Sequence, residues 1–246
     1  MKNTSAIVLA AGKGTRLNQG QPSEKPKVLY EVAGKPMIDY SIDLLAELGV
    51  ADVVVVVGHL GEQIEKHLGK NLKYVHQPQT TGTGEAVRLG LENIDKEAEE
   101  ILVLYGADIY HRSVIENLLG QHRLSGSTVS FLTKDLENSS GYGRIVRDEK
   151  GNLLSIVEEK VATQAQKKIR EVNDGAYLFK RGWLSEAIKK LKLTKVNEYF
   201  LTDLVEQAVL EEQKVLALKM DFPGWFGVDT PEQILSSGKQ IEKWHK

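Results

Sequence analysis

Between Leu9 and Leu17 the chain reads Leu9-Ala10-Ala11-Gly12-Lys13-Gly14-Thr15-Arg16-Leu17, small residues and two cations placed directly after the apolar run Ala6 to Ala10. Side chains this small let a backbone pass close to a ligand, and glycine reaches positive φ without a Cβ clash. Successive N–H groups in such a turn cradle a phosphate or meet the edge of a base, and Lys13 and Arg16 add charged donors. A tight strand-to-loop turn with no ligand uses the same residues. Two other phosphate motifs fail on spacing: a dinucleotide fingerprint needs a third glycine where Leu17 stands, and no Gly-Lys-Ser/Thr ending supplies a P-loop. Behind this segment come Glu24-Lys25-Pro26-Lys27-Val28-Leu29 and Ala33-Gly34-Lys35-Pro36-Met37. The prolines hold their lysines in extended or turn geometry, which aims them; a solvated loop is the other reading.

Acids stand at two further places. Asp108 sits just past the apolar run Ile101 to Leu104, and ligands of open α/β sheets gather at the carboxyl ends of strands. A carboxylate there holds a hard cation such as Mg²⁺, or serves as a turn residue. Asp229, in Gly227-Val228-Asp229-Thr230-Pro231, is either a second negative ligand or a plain helix cap. Gln77 precedes Thr80-Thr81-Gly82-Thr83-Gly84; its carboxamide offers a donor and an acceptor to a base edge, or it is a surface side chain with Thr83 capping a helix. The histidines lack His-x-x-x-His spacing, and no Gly-x-Ser-x-Gly elbow is present.

The elements that must position these groups can be read from periodicity. Ala6 to Ala10, Val53 to Val57 and Ile101 to Leu104 are short continuous apolar runs, as strands covered on both faces require. Met37, Ile38, Ile42, Leu45 and Leu48 recur at helical spacing, with Pro36 near the start and Gly49 at the end; Ala86, Val87, Gly90, Leu91 and Ile94 form a second stripe. Alternating strands and helices imply a mostly parallel sheet with right-handed crossovers. The later part changes character. Thr128 to Thr133, Gly143 to Arg147, Leu153 to Glu158 and Ala176 to Phe179 read as strands, with a hairpin turn at Asp148-Glu149-Lys150-Gly151-Asn152. Helices are expected over Trp183 to Leu191, over Thr202 to Glu212 and after Asp229-Thr230-Pro231-Glu232. One unit over residues 1–246 is expected, nucleotide-binding over 1–134 and sugar-binding over 135–246.

Composition narrows the function classes. A net charge of -2 gives no basic balance for nucleic acid, and Trp225-Phe226 reads as packing rather than a stacking platform. With no cysteine there is no disulfide, zinc–thiolate site or cysteine nucleophile; this fits a reducing cytoplasm. The start of the chain does not read as a signal peptide, and no apolar run is long enough to span a bilayer, so no membrane partner is expected.

In order along nearly the whole chain, the motifs resemble those of the sugar-1-phosphate nucleotidyltransferases, above all the uridylyltransferase domain of the bifunctional acetyltransferase/uridylyltransferase family. The likeness runs through Leu9 to Arg16, Pro26-Lys27-Val28-Leu29, Gln77, Gly82-Thr83-Gly84, Tyr105-Gly106-Ala107-Asp108, Gly141-Tyr142-Gly143-Arg144-Ile145-Val146, Ile156-Val157-Glu158-Glu159-Lys160, Glu171-Val172-Asn173-Asp174-Gly175 and Glu198-Tyr199-Phe200-Leu201-Thr202-Asp203. It implies an α/β, Rossmann-like nucleotide-diphospho-sugar transferase fold: a mostly parallel mixed sheet with helices on both faces. It implies UTP and a sugar 1-phosphate as partners and Mg²⁺ as cofactor. Arg16 and Lys27 would be catalytic, and Asp108 and Asp229 would hold the metal. Leu9, Ala10, Ala11, Gly12, Lys13, Gly14, Tyr105 and Gly106 would line the nucleotide, with Gln77, Gly82 and Thr83 at the uracil. Gly141, Glu158, Asn173, Tyr199 and Thr202 would meet the sugar or its phosphate.

The chain departs from that pattern twice. Ala107 interrupts Tyr-Gly-Asp and reads as an insertion, because Ser113-Val114 keeps its distance from Asp108; the alternative sets Ala at the metal position and gives an impaired nucleotide-sugar-binding protein. Asp229 stands where the closest family carries Asn, which leaves room for another nucleotide and sugar pair. No hexapeptide repeats follow, so the acetyltransferase β-helix of the family is not expected. The oligomeric state is open.

Overall fold

The computed structural model describes residues 3–15, 17, 23–220 and 224–244. Among them the strands are β1 (Thr4–Ala10), β2 (Glu31–Val32), β3 (Lys35–Pro36), β4 (Val53–Val57), β5 (Lys73–His76), β6 (Glu100–Tyr105), β7 (Asp108–Tyr110), β8 (Val129–Asp135), β9 (Arg144–Arg147), β10 (Leu153–Val157), β11 (Glu171–Lys180), β12 (Val215–Lys219) and β13 (Trp225–Gly227). The helices are α1 (Met37–Glu47), α2 (Gly61–Leu68), α3 (Thr83–Leu91), α4 (Arg112–Ser125), α5 (Arg181–Ala187), α6 (Asp203–Leu210) and α7 (Pro231–Trp244).

A nine-stranded mixed sheet forms the centre, in the order β10-β9-β11-β6-β1-β4-β5, with β8 on β11 and β12 on β8. Its N-terminal part is parallel: β1 pairs with β4 and β6, and β4 with β5. The period of two along each strand sends alternate residues to opposite faces. Ala6, Val8, Val55, Val57, Leu102 and Leu104 join Met37, Ile38 and Leu45 of α1 and Leu118 of α4. Ile7, Val54, Val56, Ile101 and Val103 join Ala86 and Val87 of α3, Leu184 of α5 and Leu204 of α6. Burial on both faces is why these strands are apolar at every position rather than at every second one. The expected α/β architecture with helices on both faces is what the chain adopts.

The later strands turn the sheet mixed. β11 runs antiparallel to β6 and β8, and the β9–β10 hairpin forms at the predicted turn. Ala176 to Phe179, read as a short strand, is the far end of the ten-residue β11. The stripe read from Ala86 to Ile94 overshoots, since α3 stops at Leu91. Lys134 lies inside β8, which pairs with β11, so one sheet carries strands from both sides of that position. Asp108 does not trail β6; it opens a separate short strand, β7, which pairs with β13 outside the main sheet. No helix among the described residues is long and apolar enough to cross a membrane.

Candidate active site

The carboxyl ends of β1 and β6 lie side by side, with Leu9 paired to Tyr105 and the Gly106 N–H donating to the Leu9 carbonyl at 2.9 Å. The loop after β1 leaves from this point. Ala10 and Ala11 are buried, Gly12 and Lys13 exposed, and the Leu17 N–H closes a turn on the Gly14 carbonyl at 3.0 Å. Arg16 lies outside the described residues.

Lys27 opens a single 3₁₀ turn, Lys27–Leu29, whose Val28 and Leu29 are buried and so pin the lysine's backbone. Its ammonium donates to Asp229 Oδ1, and both side chains are largely buried. Asp229 reaches this place because β13 pairs with β7 in a register that sets Gly227 opposite Asp108. Thr230 and Gln233 form a capping box at the start of α7: Thr230 Oγ1 accepts the Gln233 N–H at 3.3 Å, and Gln233 Oε1 accepts the N–H groups of Thr230 at 3.0 Å and Asp229 at 2.6 Å. The cap is therefore Thr230, and the Asp229 carboxylate is turned to Lys27.

Asp108 is 8% exposed. Burial is the main reason its pKa is pushed up to about 7; Lys27 pulls it down and Asp229 pushes it up. The Tyr110 hydroxyl donates to its Oδ2 at 3.4 Å. That oxygen lies so near the backbone of β11 that a Cβ on Gly175 would stand 2.4 Å away, so only glycine fits there. Ala107 is buried in the core, and it is the Asp108 carboxylate that lies in the electrostatic field of Lys27 and Asp229. Two carboxylates and a lysine from three distant segments thus share one locus. Their hard oxygen donors suit Mg²⁺, and two carboxylates leave coordination sites for phosphate oxygens and water, the balance that ion favours.

A second group binds the two halves of the chain together. Gln77, nearly buried, donates from Nε2 to the Gly82 carbonyl at 3.0 Å. Gly82 has φ +105, and a Cβ there would stand 2.3 Å from the Tyr199 carbonyl oxygen. That close approach lets the Tyr199 N–H donate to the Thr81 carbonyl at 2.7 Å and the Gly84 N–H to the Tyr199 carbonyl at 2.8 Å. The Thr83 hydroxyl accepts the Leu201 N–H at 3.1 Å. Thr83 therefore does not cap α3, whose N-cap is Gly82; it docks the Tyr199–Thr202 segment. Gln77, Thr81, Arg88 and Tyr199 line a cleft of ≈ 420 Å³, within the range of small-molecule sites.

The residues assigned to the sugar are linked in part. The Thr202 hydroxyl, fully buried, donates to Glu158 Oε1 at 3.0 Å, and burial pushes the Glu158 carboxyl above its ordinary range. Asn173 Nδ2 donates to the Asp174 carbonyl at 3.1 Å and to the Tyr177 hydroxyl, while its buried Oδ1 has no partner. Gly141 stands apart: its N–H donates to Glu159 Oε2 at 3.2 Å, the carboxylate that also holds buried Arg144 at 2.6 Å. Tyr105 and Tyr177 are each buried in the field of both Glu158 and Asp174.

Four participants were not singled out from sequence: Tyr110, Asp174, Glu159 and Gln233. For Asp174 a signal existed, an acid just before the apolar run Ala176 to Phe179. Gln233 was readable as the fourth residue of a Thr-x-x-Gln capping box. Tyr110 and Glu159 carry no local mark.

Comparison with known proteins bears on the family and the fold. The nucleotidyl transferase family profile matches residues 5–243. The bifunctional protein GlmU of Heliobacterium modesticaldum is 41% identical over 207 residues, 83% of this chain and 44% of that one. GlmU of Trichlorobacter lovleyi is 37% identical over 249 residues, covering 100% of this chain and 52% of its own. The chain spans about half the length of these curated relatives. A solved structure from Bacillus anthracis, assigned as a glucose-1-phosphate thymidylyltransferase and holding sucrose, superposes with a TM-score of 0.76 over 96% of this chain and 94% of that one, at 18% identity; it shares the fold. From the match along nearly its full length, the chain belongs to the nucleotidyl transferase family.

Proposed function

We propose that the chain transfers UMP from UTP to N-acetylglucosamine 1-phosphate, or a similar sugar 1-phosphate, with Mg²⁺, releasing pyrophosphate. The observation that carries this reading is the meeting of Lys27, Asp108 and Asp229 beside the glycine-rich loop that ends β1. Identity to GlmU relatives favours the uridylyl and N-acetylglucosamine pair.

The reaction brings two polyanions together, so the protein must neutralise charge and align the reactants. A phosphate oxygen of the sugar 1-phosphate attacks the α-phosphorus in line, and pyrophosphate leaves from the opposite side. That oxygen is already ionised, so no general base is needed; positioning and electrostatic stabilisation carry the step. Lys27, with Arg16 and Lys13 from the loop, meets charge on the triphosphate and the five-coordinate phosphorus. Asp108 and Asp229 would hold Mg²⁺, which supplies charge neutralisation at the phosphate oxygens. Lys27 then exchanges its partner Asp229 for phosphate. The Gln77 carboxamide, oriented by the Gly82 carbonyl, faces the uracil edge. Glu158 and the Oδ1 of Asn173, whose Nδ2 is already engaged, accept hydrogen bonds from the sugar.

The test is a pyrophosphate-release assay over the common NTPs and a panel of sugar 1-phosphates with Mg²⁺. Turnover is expected with UTP and N-acetylglucosamine 1-phosphate above the other pairs. A preference for another base or sugar moves the assignment within the family, and no turnover with any pair removes it.

A further inference from the structure

Resting on the cation reading of Asp108 and Asp229, we propose that Asp174 is a positioning residue of that site, its Oδ2 accepting a hydrogen bond from a water carried by the divalent cation. The pairing of β11 with β8 shifts register between Asn173 and Tyr177, and Asp174 sits in this irregular stretch. Its Oδ1 accepts the Ala176 N–H at 2.8 Å, which fixes the carboxyl group. Its Oδ2 is buried with no partner at full hydrogen-bond distance, the residue is 2% exposed, and the Tyr110 hydroxyl that reaches Asp108 also steadies this carboxyl. A buried carboxyl oxygen without a partner is costly to the fold, and the run that follows, Ala176 to Phe179, is apolar and buried, so its packing gives no reason for an acid here.

The location supplies one. Asp108 Oδ2 lies against Gly175, the next residue along β11. Burial raises the Asp174 pKa, Asp108 pushes it further up, and the half-buried Lys134 pulls it down. The carboxyl is thus held well above its ordinary range, so it stands behind the Asp108–Asp229 pair as a polar oxygen rather than as a fixed charge. It does so at one remove: among the described residues no three His, Cys, Asp or Glu side chains stand together closely enough to ligate one ion. A cation that keeps part of its water shell is reached through that water, and such outer partners change metal affinity by roughly 10- to 100-fold.

The experiment titrates Mn²⁺ into the nucleotide-free chain and follows water-proton relaxation for wild type, Asp108→Asn, Asp174→Asn and Asp174→Thr. Melting in EDTA checks the fold. Asp174→Asn keeps an oxygen for the Ala176 N–H and replaces the accepting oxygen of the other arm by a donor amide. The Mn²⁺ dissociation constant is expected to rise about tenfold or more in both Asp174 variants, with Asp108→Asn abolishing binding. Wild-type affinity in a folded Asp174 variant overturns the proposal, as does a wild-type chain that binds no Mn²⁺. Should both variants fail to fold, a crystal structure of the wild-type chain with Mn²⁺ decides: a cation-bound water within hydrogen-bond distance of Asp174 Oδ2 supports it, and a metal shell without contact to Asp174 overturns it. Mn²⁺ binding that depends on Asp174 in a chain without transferase activity would sink the function above and leave this inference standing.

Discussion

The ammonium of Lys27 is bonded to the carboxylate of Asp229 across 202 residues of chain. Nothing local holds these groups together; the buried 3₁₀ turn fixes one and the Thr230–Gln233 capping box fixes the other. In the proposed reaction Lys27 meets charge that grows toward the transition state. Lys27→Met is therefore expected to lower kcat by about 2–4 kcal/mol of transition-state stabilisation, two to three orders of magnitude. The KM for the nucleotide should change far less. Steady-state kinetics check this, and a variant whose loss falls on KM alone would make Lys27 a ground-state binder.

Asp108→Asn and Asp229→Asn should each remove Mg-dependent turnover, while the melting temperature in EDTA holds or rises for Asp108→Asn and falls for Asp229→Asn. The directions follow from burial and charge: Asp108 is a buried acid that Asp229 repels, whereas Asp229→Asn gives up the ion pair with the largely buried Lys27. Either variant retaining wild-type turnover would take that residue out of the site.

Gly175→Ala tests the close approach of β11 to Asp108. A Cβ would meet Asp108 Oδ2 at 2.4 Å and the Tyr105 ring at 2.6 Å, so one of them must move. A cost of about 1–3 kcal/mol in denaturant unfolding is expected, with activity falling more than the fraction unfolded explains. Unchanged kinetics would mean that Asp108 tolerates displacement.

Thr230→Ala removes the cap of α7, and Gln233→Ala removes the group that binds the Asp229 and Thr230 amides. Each should cost about 1 kcal/mol of stability, measured by urea denaturation. Gln233→Ala should also raise the Mg²⁺ concentration needed for half-maximal rate, because Asp229 loses its backbone anchor. An unchanged Mg²⁺ requirement would separate the cap from the site.

His122 gives a pH dependence far from these groups. It is 1% exposed, with Nδ1 paired to Ser130 Oγ at 2.7 Å, and burial depresses its pKa below 6.5. The unfolded chain then binds the proton more readily than the folded one, so this contribution to stability is full above pH 6.5 and declines as pH falls from there toward the folded-state value. Denaturant titrations between pH 5.5 and 7.5 should show stability falling with acid, with a shallower slope in His122→Gln. Equal slopes would assign the acid sensitivity elsewhere.

The parallel core was legible because Ala6 to Ala10, Val53 to Val57 and Ile101 to Leu104 are apolar at every position, a pattern that burial on both faces demands. The β9–β10 hairpin was legible from its turn, and the start of α7 from Thr230-Pro231. The half-buried edge strand β5 and the short β7 and β13 gave no comparable signal, since their few residues carry no periodicity of their own. For the site, residue types alone left each acid with a local alternative. Asp229 read equally as a cap until Thr230 and Gln233 were seen to fill that role.

The sequence by itself determined where the buried strands β1, β4 and β6 and the helix α1 lie, which loop has the small residues and cations for phosphate, and which acids and amides were available. Local chemistry decides these, because propensity, periodicity and turn geometry act over a few residues. Tertiary structure alone decided that Asp108, Asp229 and Lys27 share one locus, that Thr83 docks a distant segment rather than capping its helix, and that Asp174 carries a buried oxygen without a partner. Those facts arise from strand register and close backbone approach between segments far apart in the chain, which no spacing along it encodes.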